Sequence, residues 1–231
     1  FEYFDTPYYM RFWKKGGRGA LLYFYLWQYS VASWVKKKKW QFDIVHNLNF
    51  HNDWTPSFLW KTQKPFVWGP IGHHPEIPMS FLKKYGIRNM VREGIRWTAK
   101  QLFWNVDPFL NKTKKRAEHI FAMNSTVAKV LGLPDSKVSI LPSVASERVD
   151  YFRKEKNTSF NVLSVGRFVA LKGFDVTIRA FALFYHGLST EEQSNTSLTL
   201  VGRGPAEEYL KELIKEHDLE AVVHIIPWID R

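Results

Sequence analysis

Two cations, Arg167 and Lys172, stand five residues apart, and each is joined to a glycine, as Gly166-Arg167 and Lys172-Gly173. A guanidinium fork matches the oxygens of a phosphate, and an ammonium adds a compact point charge beside it. The residues before the pair, Val162–Val165, form a short apolar run that reads as a buried strand. Those after it place Phe174, Ile178, Phe181, Ala182 and Tyr185 on one helical face. The cations therefore fall on a loop between a strand's carboxyl end and a helix's amino end. Open α/β sheets bind ligands at that edge, and a helix N-terminus attracts anions. The chemistry expected is capture of a phosphate or diphosphate. The alternative is a pair of solvated loop charges.

Two further groups of residues could do chemistry. His46 ends the short run FDIVH, and a polar loop carrying His51 follows. The next apolar run, PFVW, leads into Gly69-Pro70-Ile71-Gly72-His73-His74. A neutral imidazole can accept a hydrogen bond from a sugar hydroxyl or carry its proton. His46 is the first candidate for that role and His51 the second, with Gly69, Gly72 and His73 forming a loop at the same sheet edge. Zinc is not indicated, since no cysteine or helical His-x-x-x-His pair accompanies these histidines. The other group is Gly202-Arg203-Gly204-Pro205, directly after the strand-like SLTLV, where glycine permits tight turning and close backbone approach to a ligand.

The elements that must hold these residues follow from periodicity and breakers. Arg18–Lys39 reads as a helix closed by four lysines. Phe42–His46, a helix over Thr55–Thr62 and Pro65–Trp68 make a βαβ unit, which requires a parallel sheet. Met79–Arg116 is helical in character and divides at Asp107-Pro108, because the residue before proline disfavours helix. In it Arg88, Arg92, Arg96 and Lys100 recur every fourth residue as a basic stripe. His119–Met123 is a strand, Asn124-Ser125 caps a helix to Leu131, and Lys137–Leu141 is a strand. The polar stretch 146–159 is a linker. From Phe160 the pattern is strand, helix, strand, helix, strand, with Ser189–Thr196 a surface loop, Ala206–His217 a helix and Val222–Ile226 the last strand. Pro227 and Trp228 follow that strand. The fold class is α/β.

Taken together, the three motif stretches resemble the group 1 (family 4) glycosyltransferases of the GT-B fold. Gly166-Arg167 and Lys172-Gly173 match that family's Gly-Arg…Lys-Gly signature, and Leu200-Val201-Gly202-Arg203-Gly204-Pro205 matches its Leu-Val-Gly-x-Gly-Pro turn. The segment FDIVHNLNFHNDWTPSFLWKTQKPFVWGPIGHHPEIP is similar to the family's N-terminal-domain segment, with its Asp-x-x-His strand end and Gly-Pro-x-Gly turn. Many members carry a second histidine two residues on, where this chain has Leu48. The resemblance implies two Rossmann-like parallel-sheet domains, each partly present. Residues 1–145 would be the C-terminal part of the acceptor domain, 146–159 the linker and 160–231 the first half of the donor domain. It implies transfer of a sugar, with retention, from a nucleotide-diphosphate sugar to a hydroxyl of a glycan or lipid-linked acceptor. Arg167, Lys172, Gly166 and Gly173 would bind the diphosphate, with Gly202, Gly204, Pro227 and Trp228 near the nucleotide. No cofactor is expected beyond the nucleotide sugar. No metal is expected either, as two cations and a helix end serve the leaving diphosphate. The family's N-terminal glycine-rich loop and its C-terminal E-x7-E motif are not among the 231 residues, so these residues alone are expected to be inactive. An epimerase or a phosphorylase on the same fold is the alternative enzyme.

Charge separates the two halves. Residues 1–150 hold 23 Lys and Arg against 11 Asp and Glu, while residues 151–231 hold 10 against 11. A basic, aromatic-rich first half suggests peripheral contact with an anionic membrane, and a non-enzymatic membrane- or nucleic-acid-binding module is the reading from another class. No nucleic-acid motif accompanies it, so nucleic acid is not the expected partner. The chain has no cysteine, which excludes disulfides and thiolate metal sites and fits a cytoplasmic location, on the inner membrane face. Its longest uninterrupted apolar run, Ala20–Trp27, is too short to span a bilayer, which takes about 20 residues.

Overall fold

The computed structural model describes residues 2–11, 19–38, 40–48, 52–143 and 159–227. Two compact units emerge, one of residues 1–76 and 95–147, the other of 77–94 and 148–231. The α/β expectation holds in both, since each unit is built on a wholly parallel sheet.

The first unit opens with helix α1, Ala20–Lys38, whose last turn carries Lys36, Lys37 and Lys38. Strands β1 (Val45–Asn47), β2 (Phe66–Ile71), β3 (Ala117–Ala122) and β4 (Val138–Ile140) lie in the order β1-β2-β3-β4. The core is formed by Phe58, Phe66, Trp68, Ile71, Leu110 and Ile120, with Val127 and Leu131 of helix α5, Thr126–Leu131. The helix expected over Thr55–Thr62 shrinks to a 3-10 turn, Leu59–Thr62. The cause is local: Asn52 Oδ1 accepts from both the backbone N–H and the hydroxyl of Thr55, which fixes a turn in place of a first helical turn. Gly69 and Pro70, read as a turn, instead continue β2 to Ile71. Ser125 makes no side-chain cap at α5, as its own backbone is already helical at φ -66°, ψ -19°, and Asn124 is turned to His73 and to the Thr126 hydroxyl.

Helices α2 (Met79–Leu82), α3 (Ile87–Val106) and α4 (Pro108–Arg116) replace the long helical stretch. The expected break at Asp107 is present, and Asp107 Oδ1 caps α4 by accepting from Phe109 and Leu110 N–H at 2.7 and 2.8 Å. The basic stripe is not continuous. Lys100 is buried, and its Nζ donates to the His74 carbonyl at 2.9 Å beside the rings of Trp97 and Trp104. Residues 77–94, read from the sequence as part of the first half, pack with the second unit. There the Tyr85 hydroxyl donates to Asp175 at 2.7 Å, and the Tyr85 ring meets that of Tyr209.

The second unit carries strands β5 (Phe160–Val165), β6 (Thr196–Val201) and β7 (Val223–Ile226) in that order. Helices α6 (Phe174–His186) and α8 (Glu207–Glu216) cover Leu198 and Leu200 with Phe174, Ile178, Phe181, Leu210 and Leu213. Each such side chain, fully buried, contributes roughly 1.5–3 kcal/mol. Two expectations change here. Strand β5 is an edge strand with one face open, so Leu163 and Val165 are 61% and 67% exposed where a buried strand was expected. Ser189–Thr196 is not a bare loop: it folds into helix α7, Thr190–Ser194, closed by a capping box between Ser189 and Glu192.

Candidate functional site

In the second unit β5 ends at Val165, and the Gly166 N–H donates to the Val201 carbonyl at 2.9 Å. The chain then passes Arg167, a 3-10 turn over Ala170–Lys172, and Gly173 at φ +66°, before α6 begins. Arg167 and Lys172 are both exposed. The structure thus places them as the sequence predicts, on the loop between a strand's carboxyl end and a 13-residue helix.

What holds that loop is Phe168, which sequence reasoning missed. Its ring is fully buried, edge-on to Phe174 at 4.7 Å. Its backbone N–H donates to the Arg203 carbonyl at 2.9 Å, and its carbonyl accepts from Ala206 N–H at 3.1 Å. The loop after β5 and the loop after β6 are therefore clasped together. The clasp explains two glycines. A Cβ on Gly202, at φ +154°, would stand 1.8 Å from the Gly166 carbonyl oxygen, and one on Gly204 would stand 2.3 Å from that of Phe168. Both are required by the approach of the protein's own backbone, before any ligand enters. Gly166 is not under that constraint, as a Cβ there meets only side chains, the Phe174 ring at 3.5 Å and Lys172 Cδ at 3.9 Å. Pro227 follows β7 at the same edge, joined to it through the Gly202 N–H to the Ile226 carbonyl. Trp228 lies outside the described residues.

The first turn of α6 already holds a carboxylate. Asp175 is buried there, with Oδ1 accepting from the Tyr85 hydroxyl and Oδ2 without a partner. Burial and that carboxylate push the Tyr85 hydroxyl above its ordinary value. That buried carboxylate stands in the helix's first turn, where its charge opposes the positive end of the helix dipole toward any further anion.

In the first unit, the carboxyl edges of β1 and β2 carry the histidines. His46 is exposed, with Nε2 donating to the Gly69 carbonyl at 2.8 Å. Gly69 has φ +117°, and a Cβ there would stand 2.1 Å from the Phe121 carbonyl oxygen. Gly72 is buried and bridges to Asn52. His73 is buried, its Nδ1 2.8 Å from Oδ2 of Asp53, which is itself 1% exposed. The Trp104 indole donates to the Asp53 carbonyl at 3.3 Å, its ring lies 5.4 Å from that of His73, and Asn124 donates to the His73 carbonyl. Burial raises the Asp53 carboxyl above the usual range, opposed by the hydrogen bond and charge of His73. Burial, then the charge of Lys100, holds the neighbouring His74 below its ordinary value.

The histidine singled out from the sequence is therefore tied to a main-chain carbonyl, while His73 is the one oriented by a buried carboxylate. Asp53 escapes sequence reasoning because it closes a stretch read only as a polar loop. Its signal was a lone carboxylate 20 residues before the second histidine loop. His51 lies outside the described residues. Among the described residues no group of three or more His, Cys, Asp or Glu side chains is placed to hold a metal ion. No described helix is long and apolar enough to cross a membrane.

Residues 147–231 match the family model of glycosyl transferases group 1. That group 1 stretch contains Arg167, Lys172, Gly202 and Gly204 and ends the resemblance short of the His73–Asp53 pair. No curated protein sequence matches the chain. Among solved structures the chain is similar to WaaG, a glycosyltransferase involved in lipopolysaccharide biosynthesis. The two share 16% identity over 94% of this chain and 55% of that one, with a TM-score of 0.54. It is also similar to the lipopolysaccharide outer core galactosyltransferase WaaB, at 14% identity over 88% of this chain and 48% of that one, TM-score 0.45. Anabaena Alr3699/HepE, solved with UDP and glucose, matches at 14% identity over 87% and 52%, TM-score 0.46. The chain spans about half the length of each. The likeness to WaaG is one of fold, and it identifies both parallel-sheet units as the Rossmann-like units of the GT-B architecture.

Proposed function

We propose that the chain serves sugar transfer from a nucleotide-diphosphate sugar to a hydroxyl of a glycan or lipid-linked acceptor, with retention and without a metal. The observation that carries this reading is the clasped loop pair, which presents Arg167 and Lys172 at the carboxyl edge of a parallel sheet. In such a reaction negative charge grows on the departing diphosphate. Two cations whose loop is already fixed meet that charge without reorganising, which is the condition under which electrostatic stabilisation is largest. The group 1 match over 147–231 supports the same assignment. On the acceptor side, His73 is the better candidate than His46. With Nδ1–H of His73 donating to Asp53, Nε2 carries a lone pair that can accept from a sugar hydroxyl.

Titration with UDP, GDP and ADP tests the donor half. One diphosphate is expected to bind, and Arg167→Ala and Lys172→Ala are each expected to weaken it by about 1.5–3 kcal/mol, the cost of a lost charge-assisted hydrogen bond. Equal binding by the wild type and both variants would remove the diphosphate assignment.

A further inference from the structure

The first unit has a second concave surface, at the opposite edge of its sheet. It is an open groove of about 920 Å³ between the end of α1, the 3-10 turn before β2, and α4. Pro65, just before β2, and Arg116 and Glu118, either side of the first residue of β3, place it at the amino ends of the strands. The candidate histidines stand at the carboxyl ends. Six cations line the groove: Lys36, Lys37, Lys61, Lys64, Lys112 and Arg116. Glu118 is the one carboxylate in the lining, and none of the six cations is ion-paired among the described residues.

Two features separate this groove from an ordinary solvated basic surface. First, aromatic faces position some of the cations. Lys61 Nζ lies 3.6 Å from the Tyr29 ring centroid and Lys112 Nζ 4.3 Å from that of Trp60. The Trp60 indole Nε1, in the same lining, is buried without an acceptor. Second, the neighbouring lysines of this unit do not behave this way. Lys114 donates to the Leu131 carbonyl, and Lys137 donates to the carbonyls of Lys114 and Lys115, so their charges close helix ends. Lys36, Lys37 and Arg116 of the groove also stand in last helical turns, but among the described residues none of the six groove cations donates to a main-chain carbonyl. A concave surface built from donors, with its cations mutually repelling, has the chemistry of a site for a multiply charged anion.

We propose that this groove binds a ligand bearing two or more phosphates, apart from the donor loop of the second unit. Its volume lies at the upper end of that of small-molecule sites, about 300–1,000 Å³, and so admits more than a single phosphate. The phosphates are those of a soluble polyphosphorylated compound or of lipid headgroups at a bilayer surface. The test uses the whole chain with Arg167→Ala and Lys172→Ala introduced, so that the donor loop contributes nothing. Inorganic tripolyphosphate is titrated by calorimetry, and vesicles of phosphatidylcholine with and without phosphatidic acid are co-sedimented. Lys64→Glu with Lys112→Glu in that background should weaken the bound probe by roughly tenfold or more, and rising salt should do likewise. Lys64→Gln with Lys112→Gln should give a smaller loss in the same direction, and Lys83→Glu with Lys84→Glu should give none. Tripolyphosphate binding that obeys this order supports a soluble ligand. Binding only to phosphatidic acid vesicles, in the same order, supports headgroups. Binding of neither probe, or equal loss in the Lys83 and Lys84 variant, overturns the proposal.

Discussion

Gly202→Ala is the substitution that most directly tests the clasp between the two loops. The added Cβ would stand 1.8 Å from the Gly166 carbonyl oxygen, and real Cβ contacts do not fall below 3.0 Å. The loops must therefore part by about 1.2 Å to reach that limit. Two hydrogen bonds between the loops fix the present spacing, Gly166 N–H to the Val201 carbonyl and Phe168 N–H to the Arg203 carbonyl, both at 2.9 Å. Neither survives such a displacement with good geometry. Each is worth about 0.5–1.5 kcal/mol net, and an alanine at φ +154° adds about 1–3 kcal/mol of backbone strain. The expected cost is about 2–6 kcal/mol, read from urea midpoints at constant m-value. Gly173→Ala is the control. It too has positive φ, but nothing lies within 4 Å of its Cβ, so strain acts alone and the cost is about 1–2 kcal/mol. Nucleoside diphosphate affinity should fall in Gly202→Ala, since Arg167 moves with Gly166. A Gly202→Ala midpoint equal to wild type, or a smaller loss than in Gly173→Ala, would refute the reasoning.

Other expectations concern the first unit and the core of the second. Asp53→Ala leaves the buried His73 Nδ1 without its acceptor and should destabilise the chain by about 1–3 kcal/mol in chemical denaturation, whereas Asp53→Asn, which keeps an acceptor, should cost less. His74 should titrate by NMR below the ordinary 6.5, and Lys100→Met should move it upward, because the charge of Lys100 is the second cause of its depression after burial. A histidine depressed in the fold adds stability that is complete above about 6.5 and is lost as pH falls through its folded value, so Lys100→Met should also flatten the stability profile there. Phe168→Ala should cost about 3–5 kcal/mol in thermal or urea unfolding, because a fully buried ring is removed from between two helices and two loops.

The elements most visible in the sequence were those that periodicity or a breaker specifies locally. The face of α6 and the division at Asp107-Pro108 are read directly from spacing and from proline. Parallel pairing in both sheets follows from the alternation of strand and helix. The failures share a cause. The Thr55–Thr62 segment has a helix-compatible pattern, but hydrogen bonds from Thr55 to the Asn52 side chain redirect it, and such side-chain bonds have no periodicity. Lys100 sits on a perfect four-residue charge repeat and is nevertheless buried, because two indoles and a carbonyl receive it. In the site, Arg167 and Lys172 were legible because their spacing is local. The His73–Asp53 pair was not, since two residues 20 positions apart meet only once β1, β2 and the loops after them are in place.

The clasp also divides the donor-side loops into constrained and unconstrained positions. Phe168, Gly202 and Gly204 are fixed by contacts with backbone, whereas Leu171 and Arg203 project into solvent from the same two loops. Under the proposed sugar transfer, sequence change at the latter pair would alter what lies beside a diphosphate without altering where Arg167 and Lys172 stand. On that reading, such an arrangement would let selectivity for base and sugar diverge among descendants of one ancestor while the two cations are inherited in place. A library randomised at Leu171 and Arg203 alone would explore new donors from a scaffold that still folds.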